Sequence, residues 1–219
     1  MAMNVAIDGP AGAGKSTIAK AIAKKMGYVY VDTGAMYRAM ALYFIKAGIE
    51  ADDEAKIAAS VDDIVVSIKY EDGQQHVILN GEDVTGMIRT EQVGNMASAT
   101  SVFAPVRTKL VALQQELAKT TDVIMDGRDI GTVVLPNADV KIFLTASVEC
   151  RAKRRFDELV AKGENPDFDK IAKDIEERDY RDSHREISPL KQADDAILVD
   201  SSDMNIDQVV ETIISYINK

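Results

Sequence analysis

At 219 residues the chain is long enough for one α/β domain with a small insertion and a proper core. Its 36 acidic residues outweigh 26 basic ones, and the resulting net charge of −10 argues against a nucleic-acid partner while leaving room for a small phosphorylated substrate wherever arginines gather in one cleft. Cys150 is the single cysteine and there are two histidines, so neither an internal disulfide nor a transition-metal cluster is expected; with no apolar run near the ~20 residues of a membrane span, and with Asp8 and Lys15 interrupting any signal-peptide core, the chain reads as soluble, cytoplasmic and in no need of a partner subunit, hence a monomer with no membrane contact.

The first apolar run, Asn4–Asp8, leads into Gly9-Pro10-Ala11-Gly12-Ala13-Gly14-Lys15-Ser16, and a helical pattern follows from Thr17 to Met26. Strand, G-x-x-x-x-G-K-S loop and helix in that order form the context of a phosphate-binding P-loop. Glycines let successive N–H groups point inward as an anion nest, and the helix start adds orphan donors and a positive dipole end. Lys15 is expected on the outer phosphates of a nucleoside triphosphate, with the Ser16 hydroxyl placed to hold Mg²⁺.

Further apolar runs at 28–32, 123–126, 141–145 and 196–200 lack clean alternation, as parallel strands covered on both faces do. Between them lie amphipathic stretches at 35–47, 105–119, 147–162 and 167–185, and 206–217 closes the series. This alternation predicts a doubly wound parallel sheet of about five strands. One segment breaks the rhythm: Ile64–Tyr70 and Gln75–Asn80 read as a hairpin turned at Asp72-Gly73, and Asn80-Gly81 offers a second turn. A small antiparallel insert is therefore expected at about 62–92. The basic run Arg151–Arg155 precedes a Gly163–Pro166 loop, and a solvated helix face or a mobile lid over the triphosphate, at about 151–167, are both open readings.

Charged groups cluster where open α/β sheets place their ligands, at the carboxyl ends of strands. After the second strand come Asp32, Thr33, Tyr37 and Arg38; Asp32 can cap the next helix or serve a ligand, and Tyr37 and Arg38 lie a turn in. After the third come Asp126, Gly127, Arg128 and Asp129, where Asp126 closes an apolar run as a magnesium-linked aspartate does, or merely begins a tight turn. At 100° per residue Arg178, Arg181, Asp182 and Arg185 share one helix face, either as solvated ion pairs or as an arginine cluster for phosphate. His76 and His184 read as surface residues.

Taken in order, Gly9–Ser16, Asp32–Arg38, Gly81–Thr85, Asp126–Thr132 and Arg178–Asp182 resemble the motifs of bacterial cytidylate kinases. The resemblance runs from about Val5 to the last helix, and it implies a single P-loop kinase domain, with the insert on the acceptor side and a short helical lid. It further implies transfer of the γ-phosphoryl of ATP to CMP or dCMP with Mg²⁺, ATP being held by Gly9 to Thr17. By the same resemblance Arg38, Arg128 and Arg185 hold the acceptor's monophosphate; Tyr37, Arg178 and Asp182 contact its ribose; Ser98, Arg107 and Asp129 read the cytosine edge, with Thr33 nearby. Ser98 and Arg107 rest on the resemblance alone. Lys15, Arg128 and Arg185 are the expected catalytic set. A P-loop kinase of another small acceptor shares the donor motif, and so does a regulatory NTPase switch, although the N-K-x-D guanine reader of such switches does not occur in the sequence.

Overall fold

The computed structural model describes residues 2–71 and 74–218. The expected sheet is present. Five strands, β1 (Asn4–Asp8), β2 (Val29–Asp32), β6 (Val123–Gly127), β7 (Val140–Thr145) and β8 (Ile197–Asp200), lie in the order β2-β6-β1-β7-β8. β1 pairs in parallel with both β6 and β7, and β7 with β8. β1 is therefore central, and four of its five residues are buried, which is why it reads as an unbroken apolar run. Helix α1 (Lys15–Met26) follows β1, and α8 (Ile206–Ile217) ends the described chain behind an Asn205–Gln208 capping box. Ile18, Ile22, Val209, Ile213 and Ile217 from these two helices close over Val5, Ile7, Ile142 and Leu144 of the sheet to form one apolar core. Between β7 and β8 run α6 (Val148–Ala161) and α7 (Phe168–His184), both within a residue or two of the stretches expected from pattern.

The chain divides into two compact units. One takes the residues up to Tyr30 together with those from Thr120 onward; the other is Val31–Lys119. The second unit contains α2 (Thr33–Lys46), α3 (Glu54–Ser60), α4 (Glu91–Thr100) and α5 (Ala104–Ala118), with a small sheet ordered β3-β4-β5. β3 (Val66–Glu71) and β4 (Gln74–Leu79) pair antiparallel as expected; their connecting turn at Asp72-Gly73 lies outside the described residues. β4 and β5 (Glu82–Asp83) are joined by Asn80 at φ 48° and Gly81 at φ 88°, the two positive angles a tight hairpin turn demands. Met36, Met40, Phe44, Ile57, Ile64, Ile88 and Leu110 are fully buried in this unit. Among the described residues no helix is long and apolar enough to cross a membrane.

Candidate active site

Gly9 opens the loop after β1 at φ +149°, and a Cβ there would lie 1.9 Å from the Leu144 carbonyl oxygen of β7, so no other residue fits. Gly14 takes the left-handed cap position of α1 without a side-chain cap, leaving the first N–H groups of the helix to face the loop. Lys15 is buried and donates from Nζ to the Pro10 carbonyl at 2.7 Å. Burial and the nearby Arg128 guanidinium hold its ammonium well below the usual lysine pKa. Ser16 Oγ donates to Asp126 Oδ2 at 2.9 Å, and Tyr30 Oη donates to Asp126 Oδ1 at 2.8 Å. Asp126 is buried, not a solvated turn residue. A hydroxyl and a carboxylate side by side at the phosphate loop are hard oxygen donors of the kind Mg²⁺ takes together with substrate phosphates, so the residues present fit that ion.

The basic run on α6 splits by helix face. Lys153 and Arg155 are exposed and paired with Asp157 and Glu158 on their own helix. Arg151 is buried, donates to the Ala11 carbonyl of the phosphate loop at 3.0 Å and pairs with Asp179 of α7 at 2.6 Å. Arg154 turns to the other side of the loop, donating to the Ser201 carbonyl at 2.8 Å. There it lines a cavity of about 620 Å³ with Ala13, Gly14, Thr17, Met204 and Asn205. The sequence reading placed the run as a unit; the structure gives each arginine a separate task.

In the same unit, Arg128 Nε donates to Asp182 Oδ2 at 2.8 Å. Burial works to raise the Asp182 pKa, but Arg128, Arg178 and Arg185 outweigh it and hold the carboxyl below its ordinary value. Arg185 NH2 stands 3.8 Å from Asp129 Oδ1, both side chains being nearly enclosed. The expected shared face is only partly present: Arg178 and Asp182 turn inward, Arg181 is exposed, and Arg185 lies one residue beyond α7 in extended backbone. After Asp129 the chain makes a π-helical turn, Ile130–Val134, whose first N–H groups donate to Asp8.

The second unit assembles the other predicted residues. Thr33 is buried at the start of α2, with Tyr37 and Arg38 half-buried a turn later. Asp32 does cap this helix, accepting from Ala35 N at 2.9 Å, and it also accepts from Arg89 at 2.6 Å. The Arg107 guanidinium sits 5.6 Å from the Tyr37 ring centroid and donates to the Ser101 carbonyl at 3.2 Å. Ser98, half-buried on α4, accepts through its carbonyl from Ser101 Oγ. Sequence reasoning singled out neither Arg89 nor Asp8; a polar residue closing an apolar strand, as Asp8 does, was the available signal.

Comparison with known proteins gives the chain its relatives. The cytidylate kinase family model matches residues 5–219. A cytidylate kinase of Lactobacillus johnsonii is 54% identical over 217 residues, 99% of this chain and 94% of that protein. One from Leuconostoc mesenteroides subsp. mesenteroides is 55% identical over 213 residues, covering 97% and 95%. Among solved structures, a shikimate kinase from Bacteroides thetaiotaomicron shares the fold at a TM-score of 0.51 and 11% identity, covering 99% of both chains. With a phosphate loop on the central strand and a family match that runs through every strand, helix and charged cluster described above, the chain belongs to the cytidylate kinase family.

Proposed function

We infer that the protein transfers the γ-phosphoryl group of ATP to CMP or dCMP, giving ADP and the nucleoside diphosphate. The observation that carries the reading is the company Lys15 keeps: a buried lysine on a glycine loop, in one unit with the enclosed pairs Arg128–Asp182 and Arg185–Asp129. Gly9 to Thr17 cradle the donor phosphates, and the cavity beside Arg154 and Met204 suits the donor's base. Mg²⁺ held through Ser16 and Asp126 would neutralise charge between the β- and γ-phosphates.

For the acceptor, Arg38, Arg128 and Arg185 are assigned to the monophosphate, Tyr37, Arg178 and Asp182 to the ribose, and Ser98, Arg107 and Asp129 to the base, with Thr33 nearby. Arginines suit this work because their forked donors match phosphate oxygens and follow charge as it spreads in the transition state. The attacking oxygen belongs to a phosphate monoester, ionised near neutral pH, so no protein base has to deprotonate it. The insert at about 62–92 serves the acceptor side and the segment at about 151–167 acts as lid in this reading. The single Cys150 suits a reducing cytoplasm, and the reading takes the protein to work there as a monomer.

ADP release is the test, measured with each nucleoside monophosphate in turn, without acceptor, and with the metal chelated. CMP and dCMP should drive turnover, and chelation should stop it. Equal ADP release without acceptor would make the protein an NTPase, and preference for a non-nucleotide acceptor would make it another small-molecule kinase.

A further inference from the structure

Asp8 ends the central strand directly before the phosphate loop. It is 5% exposed, and among the described residues no lysine or arginine forms an ion pair with it. Its two oxygens instead accept main-chain N–H groups, Oδ1 from Ile130 at 2.8 Å and Oδ2 from Gly131 at 2.7 Å. A buried carboxylate hydrogen-bonded only to neutral donors is costly, and burial pushes its pKa up to about 6 even with the Lys15 ammonium in the same neighbourhood opposing the rise. On burial alone an apolar residue would suit the strand better; what the carboxylate adds is the pair of hydrogen bonds to the turn.

What it holds is the far end of the Arg128–Asp129 dipeptide. At the near end, Gly127 stands opposite Asp8 in the β1–β6 ladder. At the far end, Ile130 and Gly131 are hydrogen-bonded to the same residue's side chain. On its other side Gly131 is braced by the Lys141 stem: a Cβ there would come within 3.1 Å of Lys141 Cδ and 3.4 Å of Asp8 Oδ2. One residue thus fixes two neighbouring backbones: its main chain continues into Gly9, and its side chain clamps the turn that follows Asp129.

We propose that Asp8 is a positioning residue for phosphoryl transfer, its carboxylate holding Arg128 and Asp129 at a fixed place relative to the phosphate loop. The inference rests on the acceptor roles given to Arg128 and Asp129 above. Both Asp8 oxygens are taken up by the Ile130 and Gly131 amides, and it is through these that the residue acts. Displacements of about 1 Å in such a constellation cost on the order of 100-fold in rate.

Asp8→Asn keeps the shape but sets an NH₂ donor against one of the two amides. It is expected to lower kcat/KM for CMP roughly 10- to 100-fold while KM for ATP stays within about twofold, and to narrow the CMP:UMP ratio. A residue needed only for folding would lower the melting temperature and leave both the substrate split and that ratio unmoved. If Asp8→Asn does not fold by circular dichroism, Gly131→Ala, whose Cβ would crowd the Lys141 stem at 3.1 Å and stand against the same carboxylate at 3.4 Å, carries the test with the same expected pattern. Wild-type kinetics with CMP, or equal losses toward CMP and ATP, would overturn the proposal. Arg128→Ala is measured in parallel. If it behaves as wild type, the acceptor reading fails and the proposal with it. If it is impaired while Asp8→Asn is not, the positioning role alone fails.

Discussion

Lys15 and Asp8 are opposite charges of the first unit kept out of water for opposite reasons. The lysine's ammonium is disfavoured by burial and by Arg128, an imbalance that a bound polyphosphate removes. Lys15→Ala should therefore leave circular dichroism unchanged and lower turnover about 100- to 1000-fold, the usual loss when one preorganised donor is removed; near-normal ADP release from a folded variant would sink the donor-site reading. Asp8 carries its own pH signature. Burial raises it, the neighbouring Asp129 adds to that, and the two amides and Lys15 oppose it; the Lys141 ammonium is turned away toward Asp195. With a folded pKa of about 6 against an ordinary 3.8, the folded state binds the proton more tightly. This group's contribution to stability is thus greatest in acid and is lost as pH rises through 6. Between pH 7.5 and 5 the wild type should gain about 1 kcal/mol over Asp8→Asn, read from denaturant midpoints at the two pH values.

At the scale of elements, local chemistry that the sequence displays was matched by the structure, and pairings made across long stretches of chain were not foreseeable. The Asn80-Gly81 turn was legible because those two residues tolerate positive φ at little cost. Asn80 also accepts from Val65 N through Oδ1 at 2.7 Å. Asn80→Ala should lose both advantages and cost about 1–2 kcal/mol, seen as faster amide hydrogen exchange across 66–83. α3 escaped prediction because seven residues are too few to show a period, and α4 because Gly94, Ala97 and Ala99 dilute its apolar stripe. The π-helical turn at Ile130–Val134 has no sequence period of its own; a carboxylate 122 residues away at Asp8 helps define it. The site behaves the same way. Spacing on α7 puts Arg178 a turn before Asp182, and the structure adds a donor that spacing could not show, Arg128, 54 residues upstream.

For the molecule as a whole, the division at Tyr30 and Lys119 makes a separable forecast for each substrate. A nonhydrolysable ATP analogue alone should slow amide exchange in residues 9–17 and 201–207. CMP alone should slow it in 33–38 and 98–107, with 128–131 also protected. Protection of 33–38 by the ATP analogue alone would contradict the assignment of those residues to the acceptor. The same division bears on how the protein is made. Asn4 pairs with Val123 and Val5 with Val140, so the strand that carries the phosphate loop leaves the ribosome before either of its neighbours exists. At ordinary translation rates that wait is on the order of 5–20 s. During it, the 31–119 segment, with its own buried methionines, Phe44 and Leu110, has everything it needs to collapse locally. The phosphate-loop strand then waits for partners made more than a hundred residues later, and a ribosome stalled before Val140 would carry the nucleotide signature in sequence but no pocket able to retain ATP.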